Sequence, residues 1–227
     1  MSKLPDILKN TSSKNLIKEI FKTEAPEVII KEISSQTLYL AIKQNGLPDS
    51  SELIELCTDE QRQLLLDMDL WSGDDWQEEK FWQWLALPEI TEDISILRKI
   101  LRSTDLKLVS DLIIRYVDIH VTNEPTDEPP GDNFYSPDKG HTWLSVKLSE
   151  PDRNFLMTRF LACIFEYSAE IFYQLINVGK IATPTQLEEE AFKEKEKRLQ
   201  AEGFPDHEYA WEPVSYTHLT LPTKRIV

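Results

Sequence analysis

The sequence has 227 residues, of which 41% are hydrophobic and 29% charged, a balance typical of a soluble globular protein with a substantial core. The formal net charge of −15 argues against binding to nucleic acid or to an anionic membrane surface, because both need a basic footprint. No apolar run is long enough to cross a membrane, and the N-terminus lacks the apolar stretch of a signal peptide, so we expect a cytoplasmic protein without membrane insertion.

Residues 1–116 are predicted to be helical, since apolar residues recur at helical spacing and strand-like alternation is rare. Helices are expected at Asn15–Phe21, Glu27–Ile33, Gln36–Gln44, Ser50–Cys57, from Thr58, from Trp76, at Thr91–Leu101 and at Thr104–Val117. The helices that open at Thr58 and Thr104 look alike, and their offset is typical of helical-pair repeats. The sequence therefore predicts a mainly α fold of stacked helical pairs, a short solenoid-like array, with a plain helical bundle as the alternative.

The stretch from Asp67 to Leu87 holds four of the six tryptophans. These are Trp71, Trp76, Trp82 and Trp84. We interpret them as structural anchors of the core, at a corner where two helices meet. Asp75, with Glu78 three residues later, has the spacing of a capping box, which predicts that the second helix begins at Trp76.

Four aspartates of the same stretch are the candidate metal ligands: Asp67, Asp69, Asp74 and Asp75. Carboxylates are hard oxygen ligands of the kind that Mg²⁺ and Ca²⁺ prefer. Their spacing does not match the twelve-residue calcium loop, and Asp75 is already assigned to capping. The sequence therefore assigns no catalytic residue, no cofactor and no firm metal site.

Residues 117–147 are expected to differ from the helical parts. The segment 123–132 is acidic and rich in proline, and we interpret it as a loop. Asn133–Tyr135 and Thr142–Val146 flank a turn that ends in glycine, which predicts a β-hairpin. Val117–Val121 alternates and is a candidate third strand.

Residues 148–213 are expected to return to helices of the same domain. A core helix is predicted over Phe155–Val178, and a charge-dense helix over Pro184–Ala201 with Thr185 and Glu188 as its capping box. A helix of that composition usually presents a solvated face. The two cysteines, Cys57 and Cys163, lie in apolar helical contexts and are predicted to be buried free thiols.

The segment 214–227 has no helical period and no acidic residue. Its first ten residues, VSYTHLTLPT, resemble the translation of a transposon-end sequencing adapter. We therefore expect this segment to be non-native and the natural protein to continue beyond Pro213, so that residues 148–213 are truncated. The alternative is a genuine tail.

Several motifs together resemble a large, uncharacterised bacterial family known only as a domain of unknown function. They are Leu38-Tyr39 through Gly46, the acidic corner Asp67–Asp74, the pair Trp84-Leu85, and Glu188–Ala191 through Gly203–Asp206. The resemblance covers most of residues 15–213 and implies a longer, helical protein without a catalytic motif. The helical-pair pattern is also similar to the cytoplasmic domain of bacterial magnesium transporters, a likeness at the level of the fold.

No nucleotide-binding, zinc-protease or serine-hydrolase motif occurs in the sequence. We therefore predict a non-catalytic intracellular interaction or scaffold module, which presents an acidic helical surface to a basic protein partner. One alternative is a regulatory domain that senses divalent cations through the four aspartates. Another is a fragment of an enzyme whose site lies in a missing C-terminal half.

Overall fold

α-Helices make up most of residues 12–204, the part of the chain that the computed structural model describes. They are α1 (Ser13–Phe21), α2 (Pro26–Glu32), α3 (Ser35–Asn45), α4 (Ser51–Leu56), α5 (Asp59–Asp69), α6 (Glu78–Leu85), α7 (Leu87–Thr91), α8 (Ser95–Ser103), α9 (Leu106–Tyr116), α10 (Pro151–Tyr167), α11 (Ala169–Val178) and α12 (Pro184–Ala201). The predicted mainly α fold is confirmed. The segment 214–227 lies outside the described residues.

Local capping chemistry explains where several helices begin and end. Thr58 and Gln61 form a reciprocal capping box at the start of α5, so the predicted cap at Thr58 is confirmed. The Ser34 hydroxyl accepts a hydrogen bond from the Thr37 backbone N–H and starts α3 one residue before the predicted Gln36. Gly46, with φ of 94°, ends α3 where the sequence predicted it.

The corner before α6 is a small β-ribbon, so the capping box predicted for Asp75 and Glu78 is wrong. Strand β1 (Trp71–Ser72) pairs antiparallel with β2 (Asp75–Trp76), and Gly73 adopts φ of 67° in the turn between them. Because residues 75 and 76 are extended in this ribbon, helix α6 begins only at Glu78. The Gln77 N–H closes the corner by donating to the Leu70 carbonyl at 2.7 Å.

A second antiparallel pair confirms the small β element predicted within residues 117–147. Strand β3 (Val117–Val121) pairs with β4 (Thr142–Val146) along its whole length. The predicted pairing of Asn133–Tyr135 with β4 is reduced to a single bridge between Tyr135 and Leu144. Proline cannot donate to a ladder, and Pro137 shortly after Tyr135 limits that segment, so the candidate third strand is the main partner.

In the last third of the described chain, helix α12 has the predicted bounds Pro184–Ala201, but other details differ from the predictions. The single helix expected over Phe155–Val178 is divided at Ser168, whose backbone is extended with φ of −158°. The Ser168 hydroxyl accepts from the Ile171 N–H at 3.3 Å and thereby caps α11, a local bond that competes with helix continuation. Thr183 and Gln186 form the capping box of α12, in place of Thr185 and Glu188.

Within residues 12–204 most of the buried apolar side chains form one continuous core. Helix α5 lies at its centre and packs on α3, α8 and α12, while α9 packs on α11 and α12. The helices of a solenoid contact only their neighbours in sequence, whereas α12 returns to pack on α5. The stacking of repeated helical pairs therefore stays a prediction. None of the described helices combines the length and the apolar character that a membrane crossing needs.

The loop between β3 and β4 is fastened to the helical body through Asp138. Its buried carboxylate accepts hydrogen bonds from the Ser136 hydroxyl at 2.8 Å, the Thr142 N–H at 2.7 Å and the Tyr173 hydroxyl on α11 at 2.8 Å. Burial acts to raise the pKa of Asp138, but these hydrogen bonds outweigh it and hold the pKa below its usual value. These bonds therefore hold the loop against α11 and fix the turn that contains Gly140.

Replacing Gly140 with alanine is expected to lower the free energy of unfolding by about 2–3 kcal/mol. Gly140 adopts φ of +89°, and an added Cβ would overlap the backbone of Thr126, which cannot move without breaking the Thr126 N–H bond to the Gly140 carbonyl at 3.2 Å. Urea denaturation monitored by tryptophan fluorescence measures the change.

Gly203 provides the control for this substitution. Its φ of +87° is nearly the same, but a Cβ there meets no atom within 4 Å. The Gly203→Ala change therefore carries only the backbone strain, about 1 kcal/mol. Equal losses in the two variants would show that the overlap with Thr126 contributes nothing.

Candidate binding groove

Helices α3, α5 and α12 enclose an open groove of about 400 Å³, which we call the α3–α5–α12 groove. Its apolar walls are formed by Tyr39, Leu40, Met68, Trp71, Leu199 and Phe204. Leu40 is 48% exposed, although it stands between the buried residues Leu38 and Ala41 on α3. The groove therefore offers an apolar surface that the rest of the described chain leaves uncovered.

The walls of the groove are positioned by the ends of the helices. Helix α5 ends at Asp69, and the β-ribbon that follows places Trp71 against the core with only 8% of its surface exposed. At the end of α12, Gly203 adopts φ of +87° and the Phe204 N–H donates back to the Leu199 carbonyl at 3.1 Å. This C-terminal turn brings Phe204 beside Leu199 at one end of the groove.

A partly buried ion pair fixes α12 to α5 beneath the groove. The Arg198 guanidinium donates to both carboxylate oxygens of Asp67, at 2.7 and 2.9 Å, although the two residues are 131 positions apart. A second carboxylate, that of Asp105 at the start of α9, lies 3.7 Å from the same guanidinium. Burial raises the pKa of Asp67, and the hydrogen bonds and charge of Arg198 oppose that rise. The pair therefore holds three helices in register.

Lys195 is a buried cation that fixes the orientation of Trp71. Only 4% of Lys195 is exposed, and its Nζ lies 4.3 Å from the ring centroid of Phe192 and 5.4 Å from that of Trp71. Its charge is matched by the Glu196 carboxylate at 2.7 Å, and it donates to the Gly73 carbonyl at 3.3 Å. Lys195 is thus held by partners on both α12 and the β-ribbon.

Asp69 connects the groove region to the tryptophans of α6. Its carboxylate accepts from the Trp84 indole N–H at 3.0 Å and from the Lys43 ammonium at 3.3 Å. The Lys80 ammonium donates to the Asp69 carbonyl at 2.7 Å. Burial and the nearby Asp69 raise the pKa of Tyr39, so its phenol is neutral at physiological pH. Asp69 is therefore bonded to α3 through Lys43 and to α6 through Trp84 and Lys80, so its role is structural.

The groove combines three stretches of the chain that are far apart in sequence, at residues 36–40, 67–73 and 195–204. A model of a family described as "Family of unknown function (DUF6178)" matches residues 2–220. The chain belongs to this family. The predicted membership in a family of unknown function is therefore confirmed. No curated protein and no solved structure matches the chain.

The DUF6178 match includes all three stretches that line the groove. It also extends into the first residues of the segment 214–227, which was predicted to be non-native. Whether that segment belongs to the natural protein stays a prediction.

The four candidate metal ligands of the DUF6178 chain are placed separately. Asp67 is paired with Arg198, Asp69 has the partners described above, and Asp74 and Asp75 are exposed on the β-ribbon. In the described part of the chain, no three side chains of His, Cys, Asp or Glu are grouped so that they could hold a metal ion. The predicted tryptophan anchors Trp71, Trp82 and Trp84 are buried, whereas Trp76 is partly exposed at the edge of the core.

Sequence reasoning missed Arg198 and Lys195, because α12 was interpreted as a solvated face. A signal was present in the helical spacing. Leu187, Ala191 and Lys195 follow each other at intervals of four residues, which places them on one face of the helix. All three are buried. A charged residue that continues an apolar stripe could therefore have indicated a buried cation.

The ionisable side chains at and beneath the groove are held by partners within the protein. The ionisable side chains Asp67, Lys195, Glu196 and Arg198 are engaged with one another or with the neighbouring backbone. The apolar walls are the surfaces left for contact with another molecule. Apolar walls with a few fixed polar groups are typical of sites that bind ligands or peptides.

Proposed function

We propose that this DUF6178 chain is a non-catalytic interaction module whose α3–α5–α12 groove accepts one or two large apolar side chains from a segment of a partner protein. The observation that carries the proposal is an open groove of about 400 Å³, built by three distant stretches and held from beneath by the partly buried Asp67–Arg198 pair. Grooves of this kind bind the apolar anchors of helical or extended peptides.

The rigidity of the groove favours this use. Trp71 is held between the core and the Lys195 ammonium. Leu199 lies on α12, whose position is stabilised by the carboxylates of Asp67 and Asp105 near Arg198. A preformed site loses less conformational entropy on binding than a flexible one. Apolar contact with Leu40, Trp71 and Phe204 can therefore contribute to affinity without first ordering the walls.

The charge of the chain supports a basic partner. The formal net charge is −15, and a field of that sign attracts Lys- or Arg-rich segments and raises their association rate. The free thiols of Cys57 and Cys163, both buried, are consistent with a reducing, intracellular location. We therefore propose an intracellular partner segment in which an apolar anchor is flanked by basic residues.

The proposal is tested by selecting peptides from a random display library on the immobilised full chain. The selected peptides are expected to share an aromatic or large aliphatic residue beside Lys or Arg. Replacing Leu40 with glutamate puts a charge at the groove and is expected to weaken their affinity at least about tenfold, equivalent to roughly 1.4 kcal/mol. Fluorescence anisotropy of labelled peptides measures the affinity.

The matched control is Ile181→Glu. Ile181 is 85% exposed and precedes α12, whose first residue Pro184 lies roughly 22 Å along the helix axis from Leu199. This variant should bind the selected peptides as the unmodified chain does. A library that yields no enriched peptide, or peptides that bind the Leu40→Glu chain with unchanged affinity, would remove the groove as the binding site.

A further inference from the structure

We propose that two copies of the chain associate through the outer edge of strand β3, which pairs antiparallel with the β3 strand of the second copy. Ile119 then lies opposite Ile119 of the second copy, at a twofold axis. The strand reads Val117-Asp118-Ile119-His120-Val121, and this sequence is complementary to itself in reverse. None of these residues lines the α3–α5–α12 groove, so the proposal does not depend on the proposed function.

The backbone groups of β3 are divided between two edges. The Thr122 N–H donates to the His141 carbonyl at 2.9 Å, next to the end of the β3–β4 ladder. In an antiparallel pair such bonds recur at every second residue, so the even-numbered residues of β3 are the ones that bond to β4. Ile119 and Val121 therefore direct their N–H and C=O groups away from β4, to the outer edge.

The other edge of β4 confirms this alternation. Leu144 lies opposite Ile119 and bonds to Tyr135 instead, donating at 2.8 Å and accepting at 3.0 Å. Among residues 12–204 no strand pairs with the outer edge of β3, and Val121 is 54% exposed. An edge strand with unpaired N–H and C=O groups is a template for a strand of another chain.

The twofold arrangement uses the groups of this edge. The Ile119 N–H donates to the Ile119 carbonyl of the second copy, and the Val121 N–H donates to the Val117 carbonyl of the second copy. The symmetry repeats both bonds. The Val117 N–H is not needed, since it already donates to the Ile113 carbonyl at the end of α9.

The side chains specify a second copy of this chain as the partner. Asp118 lies opposite His120 of the second copy, at a position where antiparallel strands bring side chains closest together. An imidazole N–H can donate to the carboxylate, which the Lys147 ammonium at 2.8 Å already orients on this exposed face. The twofold axis gives two such pairs.

The same side chains also fix the register. Sliding one strand by two residues in one direction puts Asp118 opposite Asp118 of the second copy. Sliding it in the other direction puts His120 opposite His120. Like charges directly opposite each other are destabilising, so the register centred on Ile119 is favoured over both neighbours.

The pairing is small, and we therefore expect a weak dimer. A strand of five residues provides far less contact than the roughly 1,600 Å² of a standard stable interface. Each copy also carries a formal net charge of −15, although salt at about 0.15 M screens charges that are more than about 8 Å apart. We expect a dissociation constant on the order of tens of micromolar at this salt concentration.

Disulfide trapping between copies tests the register. Full chains carrying Asp118→Cys and full chains carrying His120→Cys are mixed in equal amounts and exposed to a mild oxidant. The two new thiols lie opposite each other, with Cα atoms about 4.5 Å apart, which a disulfide can bridge. We expect a covalent dimer on a non-reducing gel. The native thiols of Cys57 and Cys163 give little background because both are buried.

Each variant alone is the control, at the same total concentration. In the proposed register, residue 118 of one copy lies roughly 8 Å from residue 118 of the other, which is too far for a disulfide, and the same holds for residue 120. Both side chains are exposed, so random collisions would trap the separate variants as fast as the mixture. Equal trapping in the separate and mixed samples, or no trapping in the mixture, would overturn the proposal.

The Val121→Pro variant tests the backbone bonds in sedimentation velocity experiments. Proline removes an N–H that β4 does not use, and proline is tolerated at such a position of an edge strand. The urea midpoint should therefore stay nearly unchanged, while the dissociation constant of the dimer rises at least about tenfold. The matched variant Val121→Ala retains the N–H and should change the dissociation constant less than about threefold.

The sedimentation results decide between the possible uses of this edge. Association of the unmodified chain that Val121→Pro weakens and Val121→Ala preserves supports the dimer. Association that is equal in all three chains would place the contact elsewhere on the molecule and overturn the proposal. A chain that stays monomeric up to about ten times the expected dissociation constant would also overturn it, and would leave the edge to a strand of a different protein.

Discussion

Replacing Arg62 with methionine is expected to lower the free energy of unfolding by about 4 kcal/mol or more, the largest loss that we predict for a single side chain. Arg62 is only 1% exposed, and its guanidinium satisfies backbone carbonyls at the end of α4. Its Nε donates to the Ile54 carbonyl at 3.1 Å, and one Nη donates to the Cys57 carbonyl at 2.6 Å. Methionine retains most of the volume and removes all of these donors.

The same guanidinium also joins α5 to α8. Its other Nη lies 2.8 Å from the Asp59 carboxylate and 3.1 Å from the Ser103 hydroxyl, which is 41 residues away in sequence. A buried carbonyl left without a donor costs roughly 1–3 kcal/mol, so the loss of several bonds at once is severe. Urea denaturation followed by tryptophan fluorescence measures the loss.

Arg102→Met is the matched control for Arg62. The Arg102 guanidinium pairs with the other oxygen of the same Asp59 carboxylate, but its side chain is 49% exposed. Exposed ion pairs contribute little, so this variant should lose less than about 1 kcal/mol. The loss in the free energy of unfolding for Arg62→Lys should lie between those of the two methionine variants, because a single ammonium cannot reproduce the planar set of donors on a guanidinium. Similar losses for positions 62 and 102 would contradict the role given to burial.

The features that could be predicted from the sequence are those that depend on near neighbours in the chain. The cap at Thr58 and the glycine end of α3 involve residues three or four positions apart, and both were predicted correctly. The start of α6 was not, because Asp75 and Glu78 have the spacing of a capping box, while the backbone of Trp76 in fact pairs with that of Trp71 in the β-ribbon. Pairing across a turn prevailed over the local helix signal.

The groove could not be predicted because its construction depends on contacts between distant residues. Asp67 was interpreted as a candidate metal ligand, and its partner Arg198 lies 131 residues further along. The helical period assigns each side chain to a face, but it does not identify the element that packs on that face. Leu40 is equally ambiguous, since an exposed leucine on a helix is ordinary until the opposing walls are known.

Replacing Arg198 with alanine is expected to lower the free energy of unfolding at neutral pH by about 3 kcal/mol. The substitution leaves the carboxylate of Asp67, whose side chain is only 7% exposed, without the guanidinium that donates to both of its oxygens. Lys197→Ala is the control one residue earlier, since its side chain is 69% exposed and its pair with Glu194 should contribute less than about 0.5 kcal/mol. Equal losses at positions 197 and 198 would contradict the prediction.

The pH dependence of the Arg198→Ala loss distinguishes the stranded charge from lost packing. Burial already raises the pKa of Asp67, and removing Arg198 removes the main influence that opposes this rise. A carboxyl whose folded pKa exceeds its unfolded value contributes stability at low pH and loses it as the pH rises through the folded pKa. The loss relative to the unmodified chain should therefore shrink as the pH falls towards about 4, near the unfolded pKa of aspartate. A loss that stays constant between neutral pH and pH 4 would assign the role of Arg198 to packing alone. The groove would then be held by the apolar contacts of α12 rather than by the ion pair beneath it.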